Sequence, residues 1–200
     1  MPRKHTEEEI NTQKEFMYER TVTLITQKPV TTITIEDILD AVWMAKGSFY
    51  RYYKSKEEFL YEVIKKNEKF FFERMVDLMR DSSMSQETVV EGISTILMDK
   101  KSLFLYLQPN DTDYLLRKLP QEYRRLEEEK AMNNFISFCE AMRIKPSEEF
   151  FGALTYLMLA LQAIVTSPGN LGESGKKRAV TIMARSIYKL LSEEIEKNGQ

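Results

Sequence analysis

Thr34-Ile-Glu-Asp-Ile-Leu-Asp-Ala-Val-Trp-Met-Ala-Lys-Gly-Ser-Phe-Tyr-Arg-Tyr-Tyr-Lys-Ser-Lys-Glu-Glu-Phe-Leu60 is the stretch that decides the reading of this chain. Thr34 is a good N-cap, and Asp37 stands at the third helical position, where a carboxylate favours a helix N-terminus. A helix over Ile35 to about Val42 follows, with Ile38, Ala41 and Val42 on one side. Trp43-Met44 breaks it, and a third helix runs from Ala45 to about Tyr53. Ser55-Lys-Glu-Glu58 has the spacing of a capping box and opens a fourth helix reaching about Arg80. Two short helices joined by a tight turn form a helix-turn-helix.

The third helix has two faces. At about 100° per residue, Phe49, Tyr53, Ala45 and Tyr52 share a packing side. Gly47, Arg51 and Ser48 lie opposite, with Tyr50 on a flank. The outward face is small, polar and positive, and Gly47 lets backbone approach a phosphate or base edge. Lys46, Arg51, Lys54 and Lys56 give +4 within residues 46–56 and no acid offsets them. Tyrosines 50, 52 and 53 interleave with that charge, and a phenol can donate to a phosphate. The whole chain carries a net charge of −2, so any DNA contact has to come from such a local patch.

Upstream, the apolar spacing predicts a helix from about Thr6 to Gln27, ended by Lys28-Pro29. Val30 to Thr34 reads as an extended connector. Downstream, Asp81 to Gln86 is a linker. Helical patterns then cover about 87–101, 112–118, 121–143, 147–166 and 176–197, with Pro109, Pro120, Pro146 and Pro168 at the joints. Seven glycines and six prolines in 200 residues are too few for a turn-rich β fold. The fold class is all-α, about nine helices: an N-terminal three-helix DNA-binding domain over 1–55 and a helical body over 56–200.

Several functions are disfavoured. The one histidine, His5, and the one cysteine, Cys139, cannot build a Cys/His zinc site or a placed Ser-His-Asp triad. No Gly-rich phosphate loop follows a strand; Gly169 to Gly175 reads as an interhelical loop. No metal, catalytic residue or cofactor is implied. Glu127, Glu128 and Glu129 could serve a helical hydrolase or lyase, but successive helix positions point three ways, as on a solvated face. A single cysteine fits a reducing cytoplasm. The polar N-terminus suggests no secretory signal. The longest nearly apolar run, Tyr156 to Val165, is about half a bilayer span, so no membrane segment is expected.

The segment resembles the DNA-binding domain of TetR-type bacterial transcriptional regulators. The resemblance rests on Lys28-Pro29, on Ile33 to Ile38, on Lys46-Gly-Ser-Phe-Tyr-Arg-Tyr-Tyr53, and on Lys54-Ser-Lys-Glu-Glu-Phe-Leu60. It covers roughly residues 8–63; the remainder matches only in layout. The resemblance implies a homodimer on a palindromic operator of double-stranded DNA. It also implies a small-molecule effector that binds the C-terminal domain and changes the spacing of the two heads. By that resemblance Thr34 contacts the DNA backbone; Lys46, Gly47, Ser48, Tyr50, Arg51 and Tyr52 form the recognition surface; Lys56 holds a phosphate with the helix-end amides. A repressor is expected; a helix-turn-helix activator or an effector-independent DNA binder is the alternative.

Two positions depart from the family pattern. Trp43 stands where the family has Gly, which costs about 1 kcal/mol in a left-handed turn. Either the ring packs over the turn or the turn is shaped differently. Ala45 stands where the family has Ser or Thr, a lost cap of about 1 kcal/mol. The aromatics and methionines after residue 64 serve as core or as the lining of an apolar effector pocket, and Leu103 to Pro109 could line its entrance. Ala153, Leu157, Ala160 and Ile164 form a stripe, as do Val180, Met183, Ala184, Ile187 and Leu191; they either pack as core within the chain or pair across two chains in a four-helix bundle.

Overall fold

The computed structural model describes residues 6–81, 83–108, 110–167 and 172–198. The expected His5, Pro109, Pro168 and Gly169 lie outside them. The described residues form nine α-helices and no strand.

Helix α1, Glu7–Gln27, starts on a full capping box between Thr6 and Glu9. After Pro29 the chain makes a 3-10 turn over Val30–Thr32, where an extended connector was expected. The hydroxyl and amide of Thr32 both donate to the Pro29 carbonyl, at 2.8 and 2.9 Å. The turn lets Val30 and Ile33, each 1% exposed, face the same core. Helix α2, Ile35–Val42, is followed by α3, Lys46–Phe49, and α4, Lys56–Arg80.

Helix α3 is shorter than the sequence spacing suggested. Beyond Phe49 the chain continues as turns, with the Arg51 and Tyr52 amides reaching back three residues to Ser48 and Phe49. The tighter winding brings Tyr53 onto Phe49 and Phe59, with ring centroids 5.8 and 4.6 Å apart. Ala45 is exposed, contrary to its expected packing side. It is the N-cap, in extended geometry, so the helical angle does not apply to it. The Ser55 hydroxyl accepts from the Glu58 amide, but the Glu58 carboxylate turns to the Lys54 amide and the reciprocal half of the capping box is absent.

Helix α5, Gln86–Leu97, is shorter than expected because Asp99 gathers the next turn, accepting from Lys101 and Ser102. A 3-10 turn over Leu103–Leu105 leads to α6, Asp111–Lys118, and α7, Gln121–Met142. Arg143 ends α7 in the left-handed region at φ 58. Helices α8, Glu148–Thr166, and α9, Glu173–Asn198, complete the chain.

There are two apolar cores. The first joins α1, α2 and α3 to the start of α4 and to residues 103–119. Phe49, Phe59, Ile38 and Leu60 are buried at its centre, and each such side chain contributes about 1.5–3 kcal/mol. The second joins α5, the end of α7, α8 and α9. Leu103 and Leu107 sit in the first core while Phe104 and Leu105 pack on the second, so this segment is a wedge between cores. Asn67, 3% exposed, pins it: its amide nitrogen donates to the Lys101 carbonyl and to the Tyr18 hydroxyl, and its oxygen accepts from the Leu103 amide.

Candidate nucleic-acid interface

The helix-turn-helix is set by polar contacts at both ends. Thr34 caps α2: its hydroxyl oxygen accepts from the Asp37 amide at 3.1 Å, and Asp37 accepts from the Thr34 amide and hydroxyl at 2.7 Å. Lys28 donates to the same Asp37 oxygen. The Lys28 ammonium, then Thr34, hold the Asp37 carboxyl well below the usual carboxylate range. In the sequence Lys28 marks the end of α1 and belongs to the resemblance; its bond to Asp37 leaves no local signal because the partner lies nine residues away.

Trp43 takes the left-handed conformation, φ 52 and ψ 47. The turn therefore has the shape a glycine would give, and the Met44 amide closes it on the Leu39 carbonyl at 3.0 Å. The indole is 76% exposed and does not cover the turn. It lies against α1, with the Arg20 guanidinium 4.2 Å above the ring and Phe16 at 5.9 Å. Cation–π contact of this kind contributes about 0.5–1 kcal/mol at an exposed site, which offsets much of the backbone strain.

The reading face divides cleanly. Phe49 is fully buried and Tyr53 7% exposed. Tyr53 is thus a core ring rather than an interleaved phosphate donor; the same burial pushes its phenol above the ordinary range. Tyr52 is half-buried against the same core, and Ser48 is half-buried. Lys46, Gly47, Tyr50, Arg51 and Lys54 are exposed. No Ala45 side-chain cap reaches the first turn of α3. A Cβ built on Gly47 would meet nothing within 4 Å, so the chain itself leaves that approach open. Among the described residues, neither Arg51 nor Lys54 makes an ion pair, and Lys46 makes a long one to Glu36 at 3.9 Å.

Lys56 stands apart from this group. Its ammonium donates to the Ile33 carbonyl at 2.7 Å and lies 3.5 Å from Glu57. It ties the start of α4 to the connector before α2. Glu127, expected on a solvated face, accepts from the Tyr61 hydroxyl and pairs with Lys65, joining α7 to α4.

In the helical body, an open cleft of about 700 Å³ lies between α5 and α9. It is lined by Glu91, Ser94, Thr95, Met98, Asp99, Lys177 and Thr181, so the methionine Met98 reaches it among polar side chains. Phe135, Phe138 and Phe150 are buried core instead. On α9 the internal reading of the stripe holds: Val180, Ala184, Ile187 and Leu191 are buried within the single chain. The uncovered apolar positions face away from it. Tyr156 is 75% exposed, Leu159 50% and Ile182 53%. Helix α8 is long and apolar enough to cross a membrane by length and composition, which exceeds the ten-residue run read from the sequence. Its Phe150, Leu161 and Val165 are nonetheless core residues packed with α9.

The helix-turn-helix and the first turns of α4 coincide with a known domain. Residues 18–63 match the family model of bacterial regulatory proteins, tetR family. No curated protein matches the chain significantly. The matched stretch holds every residue of the reading face together with the turn at Trp43. Over these residues the chain is similar to the tetR family of bacterial regulatory proteins, which supports a DNA-binding transcriptional regulator.

Proposed function

We propose that the chain is a cytoplasmic repressor that binds a palindromic operator as a homodimer and leaves it when a small effector binds the helical body. The reading domain is residues 1–55 and the effector and dimerisation domain residues 56–200. The observation that carries this reading is the exposed positive face formed by Lys46, Gly47, Arg51 and Lys54, with no acid among residues 46–56. A local cluster of exposed cations is the electrostatic footprint of a nucleic-acid binder, and phosphates supply the sequence-independent part of DNA affinity. Tyr50 and Tyr52 flank the face, Thr34 presents the start of α2, and Ser48 the start of α3. Lys56 contributes a phosphate contact only if it exchanges the Ile33 carbonyl for one. The exposed side of α8 and α9 supports pairing with a second copy.

An effector shifts such a protein only by binding one arrangement of the two heads better than the other. The reading calls for no bond-making chemistry. The test is a titration of operator affinity, on the duplex the chain selects from a random pool, against a panel of small molecules. Weakening by one compound is the expected result; tightening would make the chain a binder that needs its effector on the DNA, against release by effector, and no response an effector-independent binder.

A further inference from the structure

One carboxylate joins the exit of the reading segment to the far side of the molecule. Glu58, in the first turn of α4, accepts from the Lys54 backbone amide with one oxygen at 2.5 Å. Its other oxygen accepts from the Tyr123 hydroxyl at 2.7 Å. Lys54 directly follows the aromatic turn Tyr50 to Tyr53 that carries Arg51. Tyr123 lies in the first turn of α7 and packs on the first core, with its ring edge-on to Tyr61 at 5.7 Å. The far end of α7 carries Phe135, Phe138, Cys139 and Met142 into the second core. A rod of 22 residues, about 33 Å long at about 1.5 Å rise per residue, therefore begins at Glu58 and ends among α5, α8 and α9.

We infer that Glu58 is a positioning residue for the recognition segment, and that Tyr123 holds it there on behalf of α7. This rests on the DNA-binding reading above. The Lys54 amide has no helix partner at the exit from the aromatic turn, so Glu58 supplies the acceptor that fixes where Arg51 and Lys54 stand. A carboxylate with both oxygens bonded to separate elements has little freedom to rotate. Any shift of the start of α7 is then delivered to the Lys54 amide. The Glu58 carboxylate pushes the Tyr123 phenol up to about 12, so its hydroxyl remains a donor throughout the neutral range. A second hydroxyl works at the other end of the reading element: Tyr114, on α6, donates to the Thr31 carbonyl at 3.4 Å, just before α2.

The test uses the full chain as wild type, Tyr123→Phe, Glu58→Ala, Glu58→Gln and the Tyr123→Phe/Glu58→Ala double variant. Amide hydrogen exchange is read at Lys54 and, as an internal control, in α9, with no DNA present. Affinity is read on the duplex selected by the wild type from a random pool and on an unrelated duplex. Tyr123→Phe is expected to speed exchange at Lys54 and weaken the selected duplex about tenfold each, as loss of one hydrogen bond to a charged group does. Exchange in α9 and the unrelated duplex stay as in wild type. Glu58→Gln, which keeps an acceptor, falls between wild type and Glu58→Ala, and adding Tyr123→Phe to Glu58→Ala changes nothing further. Unchanged exchange at Lys54 in Tyr123→Phe overturns the link, and so does faster exchange with undiminished preference for the selected duplex. If the wild type selects no sequence at all, the DNA-binding reading itself falls, and this inference with it.

Discussion

Arg51 is the residue on which sequence reading most depends. It is exposed, unpaired among the described residues, and flanked by the open backbone at Gly47. A guanidinium can bridge the two major-groove acceptors of guanine, a pair worth about 1–3 kcal/mol of discrimination. Arg51→Ala is therefore expected to lose preference at one position of each half-site, measured on single-base variants of the selected duplex. A uniform loss with the preference profile intact makes Arg51 a phosphate clamp instead. Trp43 makes a separate prediction about stability. Its φ of 52 falls where a side chain strains the backbone. With the indole removed in both, Trp43→Gly should exceed Trp43→Ala in stability by about 1 kcal/mol, read from urea midpoints. Equal midpoints would mean that the turn relaxes without cost.

At the scale of elements, most of the fold was legible because caps and prolines are local signals. Thr34 with Asp37, Ser55 with Glu58 and Pro29 placed three helix boundaries that the structure reproduces to within a residue. The 3-10 turn after Pro29 was not legible: β-branched residues suggest extension, and only the burial of Val30 and Ile33 against other helices selects the turn. Helix α3 was overextended for a similar reason, since the stacking of Phe49, Tyr53 and Phe59 decides where it ends. Phe49 is buried and Gly47 exposed as their helical angles predict, because both lie within the regular part of the helix. The phosphate contact at Lys56 is implied by the resemblance alone; in the structure its ammonium donates to the Ile33 carbonyl, 23 residues away.

Asp37 gives this scale a pH prediction. Its pKa is lower folded than unfolded, chiefly through the Lys28 bond. The stabilisation it provides is then complete above the unfolded carboxylate value of about 4 and is lost as pH falls toward the folded one. Asp37→Asn should be less stable than wild type at pH 7 and should lose less on acidification to about pH 3, followed by thermal melts. Parallel losses in the two proteins would show that the Lys28–Asp37–Thr34 network does not hold α2.

The whole molecule is organised by two long helices, α4 and α7, that run from the first core into the second. Their polar ties, Tyr123 to Glu58 and Glu127 to Tyr61 and Lys65, were hidden from the sequence, where Glu127 looked solvent-facing among its neighbours. Periodicity left the α9 stripe open between internal core and a second copy, because it cannot say which partner covers a face; burial in the chain selects the core. The uncovered Tyr156, Leu159 and Ile182 form the side that the proposed dimer would use. Light scattering at micromolar concentration should give twice the chain mass of 23.6 kDa, and Leu159→Glu with Tyr156→Glu should return it to the single mass while leaving helix content unchanged. A wild-type monomer would remove the dimer from the account.

The central claim is that this chain reads DNA sequence through the face built by residues 34–56. It is tested most directly by selecting bound duplexes from a randomised pool with the full chain and sequencing them. The account predicts enrichment of one inverted repeat whose half-sites are related by two-fold symmetry. Retention of DNA without enrichment of any sequence, or enrichment of a single site lacking that symmetry, would contradict it.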